Sequence, residues 1–141
     1  MKKQIEIEID DLLQAAGLLV RRVRSVAALE ELSITEAGVL KHLSENGPAT
    51  TADLARAESV KPQSMGATIA SLEESDLVQR RPHPTDGRQM LIQITAKGAK
   101  LREKRREAKR TWLGQALTQL DRQDRETLHH AARILRRLAE Q

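Results

Sequence analysis

Five small or amide side chains recur along one stretch of this 141-residue chain: Gln63, Ser64, Ala67, Thr68 and Ser71. Among them stand Met65, Ile69 and Leu72, at spacings of four and three, the apolar stripe of a helix. At about 100° per residue, the five must point away from that stripe. The face they make is rich in hydrogen-bonding groups and almost without charge, which is unusual for a helix surface that meets only water. It suits the edges of bases in a DNA major groove. Gln can pair with adenine, Ser and Thr with several bases or with phosphate, and Ala permits close approach or contact with a thymine methyl. A second set, Arg80, Arg81, His83, Asp86 and Arg88, surrounds a turn-rich run from 81 to 89. Guanidinium groups gathered on a projecting tip fit the adjacent minor groove. Asp86 is expected to orient that tip, by pairing with an Arg or capping the turn, because phosphate repels a free carboxylate.

No other grouping in the chain carries chemistry. There is no nucleophile beside a base, no metal-ligand spacing and no phosphate loop, so an enzyme is not expected. His129 and His130 are adjacent, and on a helix they point about 100° apart. His42 has no His or acid four residues on to complete a metal site. Neither a metal nor a cofactor is expected. The chain has no Cys, which excludes disulfides, thiolate metal sites and cysteine redox switching. No run approaches the ~18 apolar residues of a membrane span, and nothing at the start reads as a signal peptide, so a cytoplasmic protein is expected. A formal charge of +4 suits an anionic partner, but the distribution says more. Residues 97 to 110 hold eight Lys or Arg against two Glu, a local excess of +6.

The elements that must position these residues have local signals of their own. Thr50, with Asp53 three residues on, offers a capping box for a short helix with Leu54 and Ala55 inward. Residues 58–61 break it, and Pro62 suits the first turn of the next helix, which carries the polar face. Leu77–Arg80 and Met90–Ile94 read as strands, separated by a loop containing Pro82, Pro84 and Asp86-Gly87. Ahead of these, a helix capped by Thr35, or by Ser33 with Glu36 as a capping box, runs to about Glu45 with Val39, Leu40 and Leu43 inward. Asn46-Gly47-Pro48 ends it. Met1–Ile9 alternates charge with isoleucine, which predicts an extended arm. Asp10 and Asp11 begin a helix to about Leu29. A long helix from Lys97 to about Leu120 follows the hairpin, Asp121–Asp124 break it, and a last helix runs to about Ala139. A helix pair followed by a basic hairpin is a winged helix-turn-helix.

The run DLARAESVKPQSMGATIASLEESDLVQRRPHPTDGRQMLIQITAKG resembles the DNA-binding lobe of the multiple-antibiotic-resistance-regulator (MarR) family. The matching features are the helix-turn-helix, the wing Asp86-Gly87-Arg88 and the run Ile94-Thr95-Ala96-Lys97-Gly98 that opens a long helix. The chain departs from the family where Asp76 stands in place of the usual Gly between recognition helix and strand. Asp tolerates the left-handed conformation better than most residues, so the turn should survive.

The resemblance implies a mainly α fold with a small β-hairpin wing, in two parts. Residues 33–98 form the winged lobe, and 1–32 with 99–141 a helical dimerisation lobe. Leu12, Leu13, Ala16, Leu19 and Val20 of the first helix, with Leu128, Leu135 and Leu138 of the last, are then the candidate dimer interface. An ordinary core helix is the bland alternative for the first. It also implies a sequence-specific regulator, a repressor by expectation, on a pseudo-palindromic site in double-stranded DNA. Pro62, Gln63, Ser64, Ala67 and Thr68 would face the major groove, and Arg88 the minor groove. Family members often bind small anionic or phenolic effectors in a crevice between the lobes, for which Arg21, Arg22 and His42 are polar candidates here. The rival reading is a winged-helix protein-interaction module, a class that tends to lose the basic wing and polar recognition face.

Overall fold

The computed structural model describes residues 1–28 and 32–141. In chain order its elements are α1 (Lys2–Val26), α2 (Ile34–Asn46), β1 (Ala49–Thr50), α3 (Thr51–Ala57), α4 (Pro62–Glu74), β2 (Val78–Pro82), β3 (Met90–Ile94), α5 (Ala96–Thr118) and α6 (Arg122–Ala139). The chain divides into two compact units, one of residues 1–26 with 108–141 and one of residues 27–107. The sequence reading drew its lines at 32 and 98. The first turns of α5 fall in the winged unit because Leu101 packs into that unit's core and Arg105, also buried, donates from Nη1 to the Ala27 carbonyl at 2.9 Å.

The winged unit is built around one apolar core. Val39, Leu40 and Leu43 of α2, Leu54 and Ala55 of α3, and Met65, Ile69 and Leu72 of α4 meet Leu77, just ahead of β2, and Val78 and Ile92 from the sheet. Each helix thus buries the stripe its periodicity predicts. Ser33, not Thr35, caps α2: its hydroxyl accepts from Glu36 N at 3.0 Å while the Glu36 carboxylate takes the Ser33 N–H at 3.1 Å. The box wins because it satisfies two orphan donors at once. Gly47, at φ 82, turns the chain out of α2. At α3 only half of the expected box forms. Thr50 Oγ1 accepts from Asp53 N at 3.1 Å, but the Asp53 carboxylate pairs with Arg56 instead of reaching back.

The sheet has the order β1-β3-β2, all antiparallel, with Ala49 opposite Ile92 and Arg80 opposite Ile92 on the other side. The sequence reading missed β1, since two residues show no alternation to detect. It also began the loop at Arg81, whereas Arg81 and Pro82 continue β2 opposite Leu91 and Met90. Proline is tolerated there because β2 is an edge strand. Asp76 adopts φ 60, the left-handed turn expected of it, and Ser59 does the same at φ 53 between α3 and α4. Gly87 is not among the residues with positive φ, so its freedom is not what shapes the wing.

The other unit holds α1, the rest of α5, and α6. Residues 1–9 are not an extended arm: α1 starts at Lys2, with Ile5 N donating to Met1 O at 3.1 Å and Gln4 bonded to Glu8. Ile5, Ile9, Leu12, Ala16 and Leu19 continue one helical stripe, which outweighs the short alternation of Ile5, Ile7 and Ile9. Asp10 and Asp11 therefore lie inside the helix, and its described end is Val26. Leu29, the expected end, lies outside the described residues. Asp121 does not break the chain for several residues but caps α6 at once, accepting from Asp124 N at 2.8 Å. No residue of this unit is buried.

Candidate nucleic-acid interface

α4 turns its N-terminal half outward. Pro62 occupies the first turn, where a missing N–H costs nothing, and Gln63, Ser64 and Ala67 are exposed. Thr68 is half-buried and its hydroxyl donates to Ser64 O at 3.0 Å. Ser71 is different. Its hydroxyl donates to Glu36 Oε2 at 3.3 Å, tying the far end of the face to α2. The free polar surface of α4 is therefore concentrated in its first two turns, and it carries no formal charge.

The wing divides its cations between two tasks. Successive strand residues point to opposite faces. Arg80 lies on the side of Val78 and α4, where its Nε donates to Glu73 Oε1 at 2.8 Å. It does not join the tip as the sequence reading had it. Arg81 and Arg88 are both exposed, the Arg88 side chain to 96%. Asp86 does both things expected of it. Its Oδ1 accepts from Arg88 N at 3.1 Å and lies 3.9 Å from Arg88 Nε. His83 is half-buried and turned inward, its Nδ1 accepting from the amides of Thr85 and Asp86 at 3.2 and 3.1 Å. A His-Pro step could have suggested such a turn from sequence. The pairing of Arg80 with Glu73, by contrast, crosses a turn and leaves no periodic trace.

The far end of the hairpin fixes the geometry of the near one. Thr95 N donates to Leu77 O at 3.0 Å, and Thr95 Oγ1 accepts from Gly98 N at 3.0 Å. A Cβ on Gly98 would lie 2.2 Å from Leu77 O, so only glycine lets α5 pass this close to the turn ahead of β2. These contacts give the Thr-x-x-Gly run a physical meaning: it locks β3 and α5 to the turn that follows α4.

With this arrangement in place, residues 32–90 match the MarR family. The chain is 36% identical over 131 residues to an uncharacterized HTH-type transcriptional regulator of Mycobacterium bovis, covering 93% of this chain and 92% of the relative. The chain belongs to the MarR family. Another relative, an HTH-type transcriptional repressor of Mycobacterium tuberculosis, is 37% identical over 100 residues, 65% of this chain and 71% of its own. Among solved structures, RV1404 of Mycobacterium tuberculosis superposes with a TM-score of 0.87 at 28% identity, over 97% of this chain and 95% of that one. A MarR family protein of Bacillus stearothermophilus gives 0.83 over 100% and 99%, at an identity of 20% that speaks to fold alone. The protein is thus a MarR-family transcriptional regulator and not an enzyme.

Two further sets of residues complete the inventory of this MarR-family chain. Leu12, Leu13, Ala16, Leu19 and Val20 on α1, with Leu128, Leu135 and Leu138 on α6, are all exposed. Arg21 is exposed on α1, and the Arg22 guanidinium stands 5.5 Å from the ring centroid of Trp112, the chain's one aromatic residue. His42, on α2 in the winged unit, is half-buried, and its Nδ1 has no hydrogen-bond partner among the described residues. Among the described residues no helix is long and apolar enough to cross a membrane, and no three His, Cys, Asp or Glu gather to hold a metal ion.

Proposed function

We propose that this regulator is a homodimeric repressor that reads a pseudo-palindromic operator through α4 and the wing. The observation that carries the reading is the pairing of an uncharged, outward polar face with an unobstructed cation. Gln63, Ser64 and Ala67 are free to meet base edges, and Arg88 projects from the wing at 96% side-chain exposure. Thr68 would contribute its methyl and lone pairs, Pro62 the approach of the helix start, and Arg81 a phosphate contact beside Arg88. Arg80 would act from behind, through Glu73, by fixing the hairpin against α4. A repressor role is supported by the similarity to the Mycobacterium tuberculosis relative, an HTH-type transcriptional repressor. It would be exercised in the cytoplasm, where operator DNA lies.

The second copy is supported by the helical unit. Residues 1–26 and 108–141 form helices without a single buried residue, while Leu13, Leu19 and Val20 stand 67%, 51% and 58% exposed. Such a unit has nothing to offset the entropy of ordering it, and apolar helices left bare in a monomer mark an association surface. A two-fold partner would cover the stripe from Leu12 to Val20 and the one from Leu128 to Leu138. Two recognition helices about one DNA turn apart would then read half-sites about 10 bp apart. The dimerisation lobe would thus be the helical unit and the DNA-binding lobe the winged one. Release by a small anionic or phenolic effector completes the proposal, with Arg21, Arg22 and His42 as its polar candidates.

Selection of genomic fragments by the purified protein, followed by footprinting, tests the whole. The expected outcome is a protected two-fold site of about 20 bp. Binding that follows salt on every sequence alike would instead favour a protein-interaction module. The basic wing and uncharged α4 face argue against that alternative.

A further inference from the structure

Pro84 has no N–H, and the two amides that follow it, those of Thr85 and Asp86, point back at the imidazole of His83. Both donate to Nδ1, at 3.2 and 3.1 Å, and the Thr85 hydroxyl lies 3.3 Å from the same atom. This is the pattern of an Asx turn, in which an Asn or Asp oxygen takes the amides just downstream. Here a ring nitrogen stands where that oxygen would be. The turn so formed is closed again by its own ends: His83 N donates to Gln89 O and Gln89 N to Asp86 O, each at 3.1 Å. Asp86, held in place, offers Oδ1 to the Arg88 N–H at 3.1 Å. Every one of these bonds begins or ends on His83 or Asp86.

A nitrogen that accepts amide protons carries none of its own. An imidazolium donates from both nitrogens, so only the tautomer protonated on Nε2 can take these bonds. We infer that His83 is a positioning residue: as the Nε2–H tautomer it latches the turn carrying Asp86, and through Asp86 it fixes the backbone from which Arg88 projects. The inference rests on the reading of the wing as a DNA contact. It replaces a direct cationic contact by His83 with an indirect one, made through the guanidinium two residues beyond Asp86.

Two measurements test it. In the free protein at neutral pH, the imidazole nitrogen resonances of isotope-labelled His83 should show an unprotonated Nδ1 and a protonated Nε2, and the opposite assignment would overturn the latch. On the selected operator, His83→Asn places an amide oxygen near the position of Nδ1 and should keep affinity within about twofold. His83→Gln carries its polar group too far out and should weaken binding about fivefold to tenfold, the scale of one or two lost hydrogen bonds. Both variants should keep the thermal midpoint of the wild type, because the turn lies outside the core of the winged unit. Equal losses for Asn and Gln would overturn the proposal in favour of a ring that touches DNA. Wild-type affinity in the Gln variant would overturn it too, provided Arg88→Ala still binds weakly. Should Arg88→Ala bind as well as wild type, the wing's contact with DNA fails, while the nitrogen resonances still decide the latch.

Discussion

The hydroxyl of Thr95 donates to the carbonyl of Asp76 at 2.7 Å, across 19 residues of chain. The same oxygen accepts from Gly98 N, so one atom caps α5 and secures the left-handed turn that ends α4. Lys97 adds a second strap, from Nζ to Ser75 O at 2.9 Å. α4 and the hairpin are therefore not independent parts. Their common anchor lies at the end of the hairpin opposite its tip.

Substitutions at this anchor should reduce stability before they touch binding. Thr95→Val keeps the shape but loses both bonds and should cost about 1 kcal/mol, the scale of a lost helix cap. Gly98→Ala must displace Leu77 O and should cost about 1–3 kcal/mol. Urea unfolding monitored by circular dichroism checks both, and an unshifted midpoint for Gly98→Ala would contradict the close approach.

Asp76 offers a signed test of backbone strain. At φ 60, Asp76→Ala should lower stability by about 1 kcal/mol, whereas Asp76→Gly should not lower it. The carbonyl that Thr95 reaches is unchanged in both. Equal losses would locate the contribution of Asp76 in its side chain.

Arg88→Ala should weaken operator binding by at least tenfold and make it less dependent on salt, the signature of a cation lost from the DNA surface. Its side chain is too exposed for the fold to respond. Fluorescence anisotropy at several salt concentrations, beside a thermal melt, separates the two effects.

Gln63→Ala should alter which bases are preferred while leaving non-specific binding intact. A good bidentate amide contact is worth about 1–3 kcal/mol of discrimination. Affinities on a set of operators mutated one base pair at a time give the answer, and a uniform loss would make Gln63 a positioning group on phosphate.

Leu135→Glu on α6, and separately Leu19→Glu on α1, should dissociate the protein and loosen its helical unit. Analytical ultracentrifugation would then report the monomer mass, with reduced helicity. A folded dimer in both variants would rule out these faces as the interface.

Much of this was legible in the sequence because periodicity and burial agree. Met65, Ile69 and Leu72 repeat at helical spacing and all three are buried, so the outward set on α4 followed by geometry. Where two readings fitted equally, sequence did not choose well. Ile5, Ile7 and Ile9 alternate like a strand, yet Ile5 and Ile9 also start the helical stripe that Leu12 and Ala16 extend. Thr35 and Ser33 are both plausible caps, and only the reciprocal bond with Glu36 separates them. β1 left no signal, being two residues held by a strand more than 40 positions away. Residue type alone puts Arg80 and His83 among the contacts at the tip. Their partners, Glu73 and the amides of Thr85 and Asp86, are matters of where side chains reach.

A helical unit with no interior of its own has a consequence for the cell. In the dimer reading, the folded population of this unit follows mass action, so its melting temperature rises with protein concentration. Newly made chains at low abundance would keep α1 and α6 accessible to proteases, and assembled ones would not. Turnover would slow as the regulator accumulates, and repression would set in over a narrower range of synthesis rates than the affinity for DNA alone would give.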